Sequence, residues 1–120
     1  QESADLNIKL AEKYNNKVIK IKEKTNEVVK YVDKYVTVYD NSCSVPNAFV
    51  VLHDSAAQAS IPSSTAGVYE GTSEVKISEV GRTVAENYGI YHEVAEQVKA
   101  WQEWYTIQKS LFEKIYSNDK

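Results

Sequence analysis

The sequence predicts an all-α protein: two long helices forming an antiparallel coiled-coil-like hairpin, plus one short helix, together a helical bundle. Near each end of the 120-residue chain, apolar residues follow one another at alternating steps of three and four. A sustained repeat of about 3.5 residues winds a helix into a left-handed supercoil whose seam must face another helix. Residues that favour turns separate the two repeats, so the long helices are expected to fold back on each other.

The first long helix is predicted over about residues 4–41. Ser3 can cap its first amides, and Asp5 in the first turn is favoured by the helix dipole. The polar residues at 40–42 supply the turn that ends it. Its predicted seam consists of Ala11, Tyr14, Val18, Ile21, Thr25, Val28, Val32, Tyr35 and Tyr39.

A short helix is predicted over about residues 46–60. Ser44 and Pro46 suit a helix N-terminus, and the Ile61-Pro62 pair should end the helix because the residue before proline avoids helical dihedrals. The residues that follow are small and polar. We therefore expect a linker over 61–72.

The second long helix is predicted over about residues 73–116. Thr72 or Ser73 can cap it, and Glu74 lies beside the positive end of its dipole. Gly81 and Gly89 lie inside it, eight residues apart and almost on one face, which is compatible with a close approach of another helix. Its predicted seam consists of Ile77, Val80, Val84, Asn87, Tyr91, Val94, Val98, Trp101, Tyr105, Gln108, Phe112 and Ile115.

Polar residues in the two seams favour an antiparallel arrangement, because polar seam positions tend to pair and to select the register. With the helices joined at the 40–76 end, Asn7 falls near Gln108, and Thr25 falls within about one turn of Asn87. We expect residues 1–120 to form a single helical domain.

Composition narrows the classes of function. Hydrophobic content of 42% and charged content of 26% are typical of a folded chain, and the net charge of −3 argues against a general nucleic-acid binder. Cys43, the only cysteine, excludes an internal disulfide and is expected to be at least half-buried.

We expect no cofactor and no small-molecule substrate. The start at Gln1 and the lack of methionine suggest a trimmed or processed chain, whose compartment is open.

Apolar residues extend beyond the two seams onto both flanks, and a pair of helices cannot cover so wide a stripe. The chain is therefore expected to be a non-enzymatic scaffold or complex subunit that docks to another protein chain or forms a homodimer. A monomeric three-helix bundle is the alternative. The interface candidates are Val29, Val36, Ile90, Trp104 and Leu111.

Two other functions stay open at this point. The eight lysines of residues 1–40 could contact an anionic membrane surface, which would make the chain a peripheral membrane scaffold. His92, Glu93 and Glu96 resemble part of a helical zinc-protease motif, and this leaves a metal-dependent hydrolase as a weak alternative. With Tyr91 on the seam, these three side chains should point outward to solvent.

Overall fold

The computed structural model describes residues 2–118, which are mostly helical, with a small two-stranded sheet. Gln1, which motivates the expectation of a processed chain, lies outside the described residues. The elements in chain order are helix α1 (Glu2–Tyr35), a 3-10 turn (Thr37–Tyr39), strand β1 (Ser44–Pro46), helix α2 (Asn47–Ala57), a second 3-10 turn (Ala66–Tyr69), strand β2 (Thr72–Lys76) and helix α3 (Ile77–Asn118).

Contacts divide the chain into two compact units. Gln1–Glu27 and Glu86–Lys120 make up the first, which we call the paired-helix unit, and Val28–Ala85 makes up the second, which we call the strand unit. The strand unit contains both strands and α2. The expectation of a single domain stays a prediction.

Helix α1 ends at Tyr35, six residues earlier than predicted. The next residues, Val36, Thr37 and Val38, are β-branched and weak helix formers. The Thr37 hydroxyl also donates to the backbone carbonyl of Asp33, and a 3-10 turn follows. Local side-chain bonds of this kind compete with continuation of a helix.

Helix α2 ends at Ala57, before the predicted boundary at residue 60. Ala59 has a φ of 51°, in the left-handed region, and the amide of Ser60 donates to the carbonyl of Ser55 over 2.8 Å. This is a Schellman-type end, which satisfies free carbonyls in the last turn. Helix α2 therefore ends at this left-handed residue, and Pro62 is not what terminates it.

The sheet is the main departure from the predicted fold class. Strands β1 and β2 pair antiparallel, with Ser44 opposite Lys76 and Pro46 opposite Thr72. The hydroxyl of Ser73 donates to the carbonyl of Val45 over 2.7 Å and adds a cross-strand bond. A strand of three residues that includes a proline gives too little alternation to be recognised from sequence.

Helix α3 begins at Ile77, whereas a start at residue 73 was predicted. A distant carboxylate holds its first turn: Asp40 accepts 2.9 Å and 2.7 Å hydrogen bonds from the amide and the hydroxyl of Ser78. The bond from the Ser78 hydroxyl lowers the pKa of Asp40, although partial desolvation opposes the shift. Residues 72–76, whose polar side chains suggested a local cap, instead form β2.

Few side chains are fully covered in residues 2–118. Within residues 2–118, the buried hydrophobic side chain is that of Val45 on β1, and the buried polar side chain is that of Ser78. Cys43 is exposed, so the expectation of a half-buried thiol was wrong. Most of the apolar side chains therefore stay at least partly open to solvent.

Candidate interaction surface

In the paired-helix unit, ion pairs connect α1 and α3. These pairs are Lys13–Glu103 at 3.0 Å, Lys17–Glu96 at 3.3 Å and Lys22–Glu93 at 3.8 Å between nitrogen and oxygen. Residue numbers rise along α1 while those of the α3 partners fall. The two helical segments of this unit therefore run antiparallel.

The predicted contact between Asn7 and Gln108 is confirmed. The side-chain amide of Gln108 donates to the Asn7 oxygen over 3.1 Å in a part-buried position. Thr25 contacts Gly89, two residues from Asn87. A β-carbon added at Gly89 would lie 2.9 Å from Cγ2 of Thr25, so the two helices approach each other very closely at this glycine.

A row of small and acidic residues on α3 faces α1 in this unit. We call it the facing row; it consists of Gly89, Glu93, Glu96, Ala100, Glu103 and Ile107, all buried or half-buried. Its members follow one another at steps of four and three. In α1, the predicted seam residues Tyr14, Val18 and Ile21 are half-buried, as expected for the opposing side.

The predicted apolar seam of α3 is largely exposed, so this part of the prediction was wrong. The side chains on it, which we call the outer row, are 50–68% exposed: Tyr91, Val94, Val98, Trp101, Tyr105, Phe112 and Ile115. Small residues explain the choice of face. Gly89 and Ala100 let the α1 backbone come close, which the larger outer-row side chains would prevent.

The two sides of the helix pair differ in polarity. On one side, Lys13, Lys17 and Lys99 lie beside Glu96 and Glu103. On the other side, an apolar groove is lined by Asn7, Leu10, Ala11, Tyr14, Gln97, Ala100, Trp101 and Trp104. The rings of Trp101 and Trp104 meet edge to face with 5.8 Å between centroids. This groove continues into the outer row through Trp101.

The five interface candidates have different surroundings. Val29 and Val36, in the strand unit, are half-buried, as is Leu111 in the paired-helix unit. Ile90 and Trp104 are exposed, and Trp104 lines the apolar groove. The sequence pattern assigned the outer row to the internal seam, so its exposure was not predicted. The large size of the outer-row side chains and their lack of charge were the sequence features that could have indicated an uncovered face.

The residues of the proposed metal motif do not share an outward face. Glu93 and Glu96 belong to the facing row, which corrects the predicted outward placement, while His92 is exposed and its ring packs edge-on against Tyr91. Desolvation acts to raise the pKa of Glu96, but hydrogen bonds from Lys17 and Lys99 outweigh it and lower the pKa. Within residues 2–118, no three His, Cys, Asp or Glu side chains group so that they could hold a metal ion.

The lysines considered for membrane contact are partly engaged within the chain. Lys13, Lys17 and Lys22 form the ion pairs with α3 described above. A lysine already paired with a carboxylate attracts an anionic surface less strongly. In the part of the chain that the structure describes, no helix has the length and apolar character needed to cross a membrane.

The strand unit has an apolar groove of its own, between α2 and the start of α3. Its lining includes Phe49, Val50, Val80 and Val84 together with His53. The His53 ring stacks on Phe49 with 6.1 Å between ring centroids. This groove adds a second uncovered apolar surface to the molecule.

Comparisons with family models, with curated proteins and with solved structures each found no match for this chain.

Proposed function

We propose that this chain is a non-enzymatic interaction module, in which two long helices pair as an antiparallel coiled-coil-like hairpin and offer an apolar helix face to another chain. The observation that carries the proposal is the exposure of the outer row. Seven large apolar side chains, from Tyr91 to Ile115, lie on one side of α3 at the spacing of a coiled-coil seam. A row with this spacing packs best against a helix.

The area supports a stable contact. An aromatic side chain buries about 150–250 Å² and an aliphatic one about 100 Å², so at their observed exposure the seven side chains offer ~700 Å². The exposed area of the outer row is therefore close to what one partner contributes to a standard protein interface.

Photo-crosslinking from single positions tests the proposal. A photoreactive amino acid at Val98, on the outer row, is expected to give adducts of protein mass, both in the purified protein at high concentration and in its cellular setting. Thr106, exposed beside the ion-paired side of α3, is the matched control and should give few adducts. Equal labelling at both positions, or no protein adduct at Val98 in either setting, would contradict a docking role for the outer row.

A further inference from the structure

We infer that the partner of the outer row is a second copy of this chain, packed outer row against outer row. The inference rests on the proposed function and names its partner. It follows from the charge and the area of the surface that α3 leaves uncovered in the paired-helix unit.

The outer row and its flanks carry no charge between residues 87 and 108. The flanking side chains are Tyr88, Ile90, Ala95, Gln97, Gln102 and Trp104. Over the same stretch, the charged side chains Glu93, Glu96, Lys99 and Glu103 belong to the facing row or to the ion-paired side. Two copies can therefore bring residues 87–108 of their outer rows together without apposing like charges, which would otherwise oppose self-association.

A partner with a different sequence would normally be selected by charged flanks, since residues beside a coiled-coil seam set the choice of partner. Residues 87–108 have no charged side chains beside the outer row, because the flanking side chains there are aromatic, aliphatic or amides. A surface that is uncharged and apolar is complementary to itself, as a twofold interface requires.

The available area matches that of a dimer. A standard interface buries about 800 Å² on each partner, and the outer row offers ~700 Å² before its flanks are counted. Trp104 and Ile90, both exposed, add to this area on one flank. The tryptophan and tyrosine side chains are of the types that dominate binding energy at interface centres.

Sedimentation of the full chain tests the inference. The wild type is expected at twice the 13.6 kDa of one chain at micromolar concentration. Val98→Glu and Trp101→Glu should each weaken self-association about a hundredfold or more, because each would bury an unpaired carboxylate. Both side chains are exposed, so helix content measured by circular dichroism should not change. Thr106→Glu is the matched control and should remain dimeric.

Binding of an apolar dye separates failure of this inference from failure of the proposed function. A wild type of one-chain mass that binds the dye, with Val98→Glu abolishing the binding, would overturn the second copy as partner and keep an apolar docking face. One-chain mass without dye binding would overturn both. A wild-type dimer that Val98→Glu and Trp101→Glu leave intact would place the dimer contact elsewhere and overturn the inference.

Discussion

The facing row and the outer row of α3 have the same spacing and opposite surroundings. Both follow steps of three and four along one helix, except where Gln108 interrupts the outer row between Tyr105 and Phe112. The facing row, with Gly89 and Ala100, packs against α1, while the outer row, with Trp101 and Tyr105, meets solvent. The spacing therefore shows that either face of α3 can pack against a helix. The size of the side chains decides which of the two faces α1 approaches.

The difference is also energetic. Small residues bury little apolar area, and the facing row adds polar contacts that include the ion pair between Lys13 and Glu103. The outer row keeps most of the apolar area that could be buried. In a single chain, the two helices therefore pair through close approach and charge, and most of the apolar area of the outer row stays exposed.

The largest expected effect comes from filling the facing row at Gly89. Gly89→Leu places a bulky side chain where even a β-carbon would meet Thr25. We expect a loss of about 3 kcal/mol in the free energy of unfolding, the upper range for overpacking. Denaturant unfolding followed by circular dichroism measures it.

The matched change on the outer row is Val98→Leu, which should alter stability by less than about 0.5 kcal/mol because the site has room within one chain and stays apolar. Combining Gly89→Leu with Thr25→Ala should recover part of the loss, since the methyl group and hydroxyl in the way are removed. If Val98→Leu costs as much as Gly89→Leu, the two rows have been assigned the wrong way round.

An intermediate effect is expected at Ser78, where α3 begins in the strand unit. Ser78→Ala removes the hydroxyl that donates to the Asp40 carboxylate and should cost about 1.5 kcal/mol, typical of a hydrogen bond to a charged group. Thermal unfolding of wild type and variant measures the difference. Ser110→Ala, at an exposed position of the same helix, is the control and should leave the melting temperature unchanged.

The effect at Ser78 should depend on pH. The pKa of Asp40 is lower in the folded state, so its contribution is fully present above the pKa of the unfolded chain and is lost as pH falls through the folded value. Asp40→Asn should therefore be less stable than wild type at neutral pH, with the gap closing in acid below about pH 4. A gap that stays constant to pH 2 would show that the Asp40 charge does not stabilise this turn.

The sequence allowed the long helices and one contact between them to be predicted, because periodicity is visible in neighbouring residues and polar residues within an apolar seam tend to pair. Asn7 and Gln108 pair as expected. The α3 seam was misassigned because apolar side chains were expected to face inward, whereas close approach at Gly89 has the larger influence on packing. The strand pair was missed because a three-residue strand that includes Pro46 gives too little alternation. The start of α3 was misplaced because Asp40 reaches Ser78 from a distant part of the sequence, whereas local cap signals at 72–74 pointed to an earlier start.

The smallest expected effect concerns the ion pair of Lys13 with Glu103, and it tests the antiparallel register of the two helical segments in the paired-helix unit. Both side chains are about half-exposed, so Lys13→Glu should cost only about 0.5 kcal/mol. Lys13→Glu combined with Glu103→Lys should restore stability in the antiparallel register, because the two charges are exchanged across the same contact. The coupling from this double-mutant cycle should fade in 1 M salt, where charges are screened beyond about 3 Å. A coupling of zero at low salt would show that the contact between Lys13 and Glu103 does not help to set the register. The facing row would then be held to α1 by its small residues and by the ion pairs Lys17–Glu96 and Lys22–Glu93.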